Sequence, residues 1–474
     1  MGIVIRNNVQ ALNAQHNLSR ASKAFGRSLE RLSTGLRINR GADGPAALVI
    51  SELQRAQIAG LQTAIDNSQK AVTLVQTAEG ALNEINSLLV KIRSLALDSA
   101  NSGVNNSDAL AANQAEISNA LSTINRIANN TQFANLKLLD GSAGRTGSTT
   151  DTDVTFLRAT SDTVAGTYAV AISTAGERAK VTAGTAQTGN LANDETLTVN
   201  GVAITLSAGM SRAQVQSRIN EFTGQTGVVA EDDPSVADST RLRTQQFGSA
   251  ATLSVVSNQA AAATSSGFGT TQLTDTGVDV AGTIGGNAAS GSGAVLTGTA
   301  GSSKGISIQI AASASDAAAT VSGANGNVTV VNNSLTFQIG PNRNQTVSIS
   351  IDQMNTTSLG LGVANNQFAS LSAIDVTSQS KAQDALAVID QAINEVTTLR
   401  GTLGAFQQNT LESTANNLRT TLENSVAAES IIRDTDFAAE IAEFTQNQVL
   451  TQAGTSVLQS ANQVPQLVLA LLGG

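Results

Sequence analysis

Residues 9–36 read VQALNAQHNLSRASKAFGRSLERLSTGL. Apolar side chains recur there at seven-residue steps: Ala11, Leu18, Phe25 and Leu32 form one series, with Leu29 and Leu36 at the companion position. So narrow a stripe is the seam of a helix that needs a partner helix, because one line of apolar side chains cannot bury itself. Gly35 falls at the stop, and Gly41-Ala42-Asp43-Gly44-Pro45 breaks the pattern. Asp43 is placed to cap a following helix, with Pro45 in its first turn, where a missing N–H is tolerated.

Working outward, the next helix is long. Leu61, Ile65, Ser68, Val72, Val75, Leu82, Ile85, Leu89, Ile92 and Ala96 mostly keep three-and-four spacing, with Glu79 interrupting. From Pro45 to about Asn101 this predicts a helix ~80 Å long. Gly60 and Gly80 inside it each cost about 1 kcal/mol against Ala, so packing must hold it. Asn101–Asn106 reads as a turn, with Ser107 or Asp108 as cap. Leu110, Gln114, Ile117, Leu121, Ile124 and Ala128 then predict a helix running back antiparallel. Near the other end, Leu386, Ile389, Ile393, Val396, Leu399, Leu403 and Phe406 predict a helix from about Ser378. It continues through Leu411, Leu418, Leu422 and Val426 to about Ile432, and Val457, Val464 and Leu471 lie seven apart in a last segment.

Residues 145–375 differ, being rich in Ser, Thr, Gly, Ala and Val with patches of period-two alternation. Asn200-Gly201 between the runs 197–199 and 202–206 is a strong hairpin signal. A second hairpin pairs Leu335, Phe337 and Ile339 with Val347, Ile349 and Ile351, and a short helix covers Arg212 to Phe222. The alternation leaves open whether this insertion is one subdomain or two. The fold class is mainly α with a β-rich insertion: a long antiparallel helical coiled-coil or rod from both termini, with a β-rich domain between them.

Charge links the ends. Residues 1–45 carry seven basic and two acidic side chains, net +5, whereas residues 434–474 carry four acidic and no basic ones, net −4. Opposite charge and matching seams suggest that the termini pair, within or between subunits. Composition removes most chemistry. Across 474 residues there is no cysteine and one histidine, His16, so thiolate metal sites, histidine metal clusters and Ser-His-Asp catalysis are not available within one chain. Asp232-Asp233-Pro234 reads as a capped turn. The net charge of −9 argues against a nucleic-acid partner. Val464–Leu472, the longest apolar stretch, is far shorter than the ~20 residues of a membrane-spanning helix. The first eight residues lack a secretory-signal layout. No enzyme, cofactor or metal is expected.

Several tracts resemble bacterial flagellin: Leu32-Ser33-Thr34-Gly35-Leu36-Arg37-Ile38-Asn39 with Ala42–Ala46, Ala81–Asn86, Thr131-Gln132-Phe133, Arg433–Glu440, and Ala461-Asn462-Gln463-Val464-Pro465-Gln466. The resemblance covers roughly residues 1–144 and 335–474. It implies a structural subunit that polymerises into the bacterial flagellar filament, secreted to the cell exterior for motility. In that family the chain is exported unfolded by the flagellar type III apparatus. Implied partners are many copies of itself, an export chaperone, and the cap and hook-junction proteins. A hook–filament junction protein and a non-flagellar adhesin or enzyme displayed on a helical stalk are the alternatives.

The implied layout is an N-terminal inner arm (1–44), the first half of a helical rod (45–144), the variable outer insertion (145–334), a hairpin with the second half of the rod (335–433), and a C-terminal inner arm (434–474). Leu18, Phe25, Leu32, Val457, Val464 and Leu471 are the expected assembly seam. Arms that cannot bury their stripes alone should be disordered in the monomer and fold on assembly. The Gly41-Ala42-Asp43-Gly44 loop is not followed by Gly-Lys-Ser/Thr, so it is no phosphate loop. The family instead implies inter-subunit contacts at Gly41, Asp43 and Pro45. It also implies an epitope for an animal innate receptor, Toll-like receptor 5, around Lys91, Ile92, Leu95 and Glu116. There the family's arginine is replaced by Lys91, which lacks the planar fork and should weaken recognition. Zinc-peptidase insertions known in some flagellins need His-Glu-x-x-His, and this insertion contains no histidine.

Overall fold

The computed structural model describes residues 8–472 apart from Ser102, with side chains described as far as Gln463. Eight α-helices occur among them: α1 (Val9–Thr34), α2 (Pro45–Ser99), α3 (Ser107–Asn130), α4 (Arg212–Asn220), α5 (Thr223–Thr226), α6 (Gln379–Ala405), α7 (Ser413–Arg433) and α8 (Phe437–Leu472). A π-helical turn, Phe406–Glu412, joins α6 to α7. The chain forms two compact units. One comprises the chain up to Gln69, Gln338–Gln345 and the chain from Ser413; the other comprises Lys70–Phe337 and Thr346–Glu412.

In the first unit the helices pair antiparallel. Leu61, Ala64 and Ile65 of α2 form a cluster with Leu418 and Leu422 of α7, and the Ser51 hydroxyl donates to Glu429 at 3.3 Å. As the α2 number falls the α7 number rises, which fixes the direction. Gly60 has a reason to be glycine in mid-helix: a Cβ there would lie 3.1 Å from the ring of Pro341 at the hairpin tip.

In the second unit the α2 face of Leu74, Val75, Ala78, Leu82, Ile85, Leu89, Ile92 and Ala96 is buried throughout. Ala78 stands where the expected stripe lapses at Glu79, so the seam continues one residue earlier. Ion pairs Lys91–Glu116 (2.6 Å) and Arg93–Asp390 (2.6 Å) join α2 to α3 and to α6. The Asp98–Asn113 and Glu79–Arg400 contacts set both neighbours antiparallel. Ser378 caps α6 through the Lys381 N–H, at the expected start. The cap of α3 is Asn106 rather than Ser107 or Asp108, its side chain accepting from the Ala109 N–H. An Asn with extended backbone does this as well as Ser or Asp.

The β-rich region contains two hydrophobic cores. An eight-stranded antiparallel sheet runs, in spatial order, Arg145–Thr149, Gly323–Asn332, Gly166–Thr174, Ala281–Ile284, Asn287–Ser292, Val295–Gly298, Ser307–Ile310, Val154–Arg158. Val170, Ile172, Ile284, Leu296, Ile308 and Val328 fill its core. A second core, with Leu197, Ile204, Val215, Ile219, Leu242, Leu253 and Phe268, lies between a three-stranded sheet, a four-stranded sheet and α4. The chain enters and leaves that outer subdomain at one place, where Glu177 and Val278 exchange backbone hydrogen bonds of 2.7 and 2.9 Å. One subdomain is thus inserted in a loop of the other. The expected hairpin forms from Glu195–Val199 and Val202–Leu206, with Asn200 (φ 47°) and Gly201 (φ 82°) at its tip. The second hairpin pairs Leu335–Gln338 with Thr346–Ile349.

Candidate functional site: the terminal arms

α1 and α8 lie side by side, antiparallel. The rings of Phe25 and Phe444 stack with centroids 4.9 Å apart. Arg31 pairs with Glu440 at 3.4 Å, in line with the opposite charges of the two ends. Leu18 packs over Gly454, where a Cβ would come within 3.2 Å, and the Asn8 side chain donates to the Ala461 carbonyl at 2.9 Å. The pairing is within one chain. Of the two arrangements expected, within or between subunits, the structure shows the first.

The cover is incomplete. Leu18, Phe25 and Leu32 are only half-buried. Leu29, read as the companion seam position, is 52% exposed, and Val457, read as seam, is 57% exposed. Leu12, Phe437, Ile441, Val449 and Leu450 are also open. Two paired helices cover only part of each other's surface, so these apolar residues stay open. The side chains of Val464 and Leu471 lie outside the described residues.

Between α1 and α2 the chain makes a built loop. Gly35 ends α1 with φ 73°, a conformation that favours glycine, and its N–H donates to the Arg31 carbonyl. Asp43 does not cap α2. Its Oδ2 accepts from the N–H groups of Arg40 (2.9 Å) and Asn39 (3.2 Å), closing the loop on itself. The Arg40 N–H bond holds the Asp43 carboxyl below its ordinary range, against an opposing effect of burial. Pro45 is the first residue of α2, and Gly41 starts the single 3₁₀ turn, Gly41–Asp43, that precedes it.

Residues not singled out from sequence tie this loop to the other arm. The Arg37 N–H donates to the Arg433 carbonyl at 2.7 Å, and its guanidinium donates to the carbonyls of Ile432 (2.7 Å) and Ile431 (3.4 Å), where α7 ends. The Thr435 N–H donates to the Gly35 carbonyl at 3.0 Å. A basic residue just past a glycine stop was the only local hint, and nothing local names its partner.

Of the four residues expected at the receptor face, Lys91 and Glu116 are exposed and paired with each other, while Leu95 is half-buried. Ile92 is fully buried in the α2 core. This corrects its assignment, since it faces the helix partners and cannot meet a receptor.

Helical ends that pair and still leave apolar side chains open, in a chain whose remaining β-rich part holds two nested subdomains and no catalytic constellation among the described residues, point to a structural subunit that builds a polymer. The bacterial flagellin N-terminal helical region matches residues 5–144, and the bacterial flagellin C-terminal helical region matches residues 386–472. B-type flagellin of Pseudomonas aeruginosa is 35% identical over 512 residues, covering 100% of both chains. Flagellin of Clostridium tyrobutyricum is 31% identical over 464 residues, covering 98% of this chain and 100% of its own. The solved structure of FliC from Burkholderia pseudomallei aligns with a TM-score of 0.24 at 18% identity, over 72% of this chain and 99% of that one. The chain belongs to the bacterial flagellin family. It is a structural subunit of the extracellular flagellar filament that serves motility, and not an enzyme. Among the described residues no helix is long and apolar enough to cross a membrane.

Proposed function

We propose that the filament is held together by the faces of α1 and α8 that their own pairing leaves open. The observation that carries this is the number of exposed apolar side chains, Leu12, Leu29, Ile441, Val449, Leu450 and Val457, on two already paired helices. Apolar side chains in such number on one pair of helices mark a surface that another copy covers. A head-to-tail contact of this kind that does not close gives an open helical polymer. Leu18, Phe25 and Leu32 then serve within the chain, aligning the arm, and Val457 with the outer rows serves between chains. Val464 and Leu471 extend the same heptad series and take the same role.

The loop with Gly41, Asp43 and Pro45 sits where α1 turns into α2, and its closed hydrogen bonding supports a rigid contact to a neighbouring subunit. Export in an unfolded state by the flagellar type III apparatus, with an export chaperone, fits a chain without cysteines to cross-link. The cap and hook-junction proteins are the further partners this reading requires at the two ends of the polymer. Lys91, Leu95 and Glu116 form the face proposed for Toll-like receptor 5.

The test is the double variant Leu29→Asp/Ile441→Asp. Both residues are exposed, so helicity and melting of the monomer should stay unchanged. Losing the burial of two such side chains should raise the lowest concentration for growth from seeds by about tenfold or more. Unchanged growth would show that these faces are not used.

A further inference from the structure

Beside the start of α6 lies a cavity of about 750 Å³, within the second unit. One wall is the outer subdomain, with Gln225, Gln245 and Gln246; the other is the opening of α6, with Gln379, Ser380 and Asp384. The walls are pinned beside it by two hydrogen bonds to the Gly224 carbonyl, from the Thr377 hydroxyl (3.2 Å) and the Lys381 ammonium (3.0 Å).

The charged groups of the lining are three, Asp375, Lys381 and Asp384. Lys381, the one cation among the described lining residues, is already paired with Asp375 at 2.7 Å. One oxygen of Asp384 accepts from Gln367 at 2.6 Å. With two carboxylates and one ammonium, the lining does not favour an anion. Among the described residues, no group of three or more His, Cys, Asp or Glu stands ready for a metal. The side chains of Gln225, Gln245, Gln246, Gln379 and Ser380, in contrast, have no hydrogen-bond partner among the described residues. Each glutamine amide offers an acceptor and two donors, and the serine offers both.

Amides and a hydroxyl without protein partners among the lining residues, mixed in donor and acceptor beside an ion pair and a hydrogen-bonded carboxylate, match a ligand whose every polar group is itself both donor and acceptor. That is a polyol. We propose that this cavity binds a neutral oligosaccharide of about two or three rings, a size suited to pockets in the range of hundreds of Å³. Its hydroxyls would meet Gln245 and Gln246 on one side and Gln379 and Ser380 on the other. A bound sugar therefore ties the outer subdomain to the start of α6. The inference stands apart from filament assembly, which uses the terminal arms.

The full-length protein is tested on an array of tethered neutral and sialylated oligosaccharides, and by saturation-transfer NMR with free lactose and N,N′-diacetylchitobiose. Neutral saccharides bind and sialylated ones do not. Binding of either the tethered or the free form supports the site, and the two arms tell a surface glycan from a soluble sugar. Gln245→Ala/Gln246→Ala lowers affinity about tenfold, with melting and seeded filament growth unchanged. Amide exchange over 244–250 and 379–384 slows when sugar is present. No neutral saccharide bound in either format overturns the proposal. So does binding that survives both Gln245→Ala/Gln246→Ala and Gln379→Ala/Ser380→Ala.

Discussion

Asp352 is largely buried, its Oδ1 has no hydrogen-bond partner, and burial pushes its carboxyl up to about 6. Arg158 and Arg145 pull the other way, while Asp162 and Glu395 add to the rise. Arg158 is committed elsewhere: it pairs with Glu395 at 2.9 Å and donates to the Ser358 carbonyl. Between the ordinary carboxyl value of 3.8 and about 6 the folded chain keeps a proton that the unfolded chain has released. Stability therefore falls as pH rises through that window, and stays lowered above it. Asp352→Asn should be more stable than the parent by up to about 3 kcal/mol at pH 7.5, with the difference vanishing toward pH 4. Denaturant melts at the two pH values decide it; equal stability at pH 7.5 would contradict the account. At the proposed receptor face, Lys91 is spent on Glu116 at 2.6 Å. Lys91→Arg keeps that pair and adds donors in a planar fork. Potency on cells reporting Toll-like receptor 5 should rise several-fold, and no rise would remove Lys91 from the epitope.

At the scale of elements, the arm pair is pinned by a ring stack, an ion pair and a side chain–carbonyl hydrogen bond. Phe25→Ala removes the stack with Phe444 and should destabilise the α1–α8 pair by about 1–3 kcal/mol. Limited proteolysis within residues 9–34 and 437–463 should then run several-fold faster, while the β subdomains stay resistant. Equal resistance would mean that the arms are held otherwise. The helices were legible because their signal is repeated: α2 shows its buried face through Leu61, Leu82, Ile85, Leu89 and Ile92, and tertiary packing needs that same face. Caps were less legible. Ser107, Asp108 and Asn106 are all competent, and only backbone geometry chose Asn106; Asp43 had a nearer pair of N–H donors in its own loop than in α2. The exposure of Leu29 was illegible because a heptad count gives the spacing of a stripe and not how much of it the partner helix covers. Arg37 was missed because the carbonyls it meets lie almost four hundred residues away in sequence. In the insertion, period-two alternation says that a strand has one buried face, not which core it faces. The nested subdomains became visible only where Glu177 meets Val278.

For the whole molecule, the claim is that the two chain ends are the polymerising device and that the β subdomains are carried by it. Both ends are helical, antiparallel and paired, yet keep several large apolar side chains exposed. The direct measurement is seeded growth followed by electron microscopy, with the full chain run beside a version lacking residues 1–35 and 440–474. Long helical filaments from the full chain, and none from the truncated one at any concentration where it stays folded, are the predicted result. Filaments from the truncated chain, or a full chain that stays monomeric with seeds present, would contradict it.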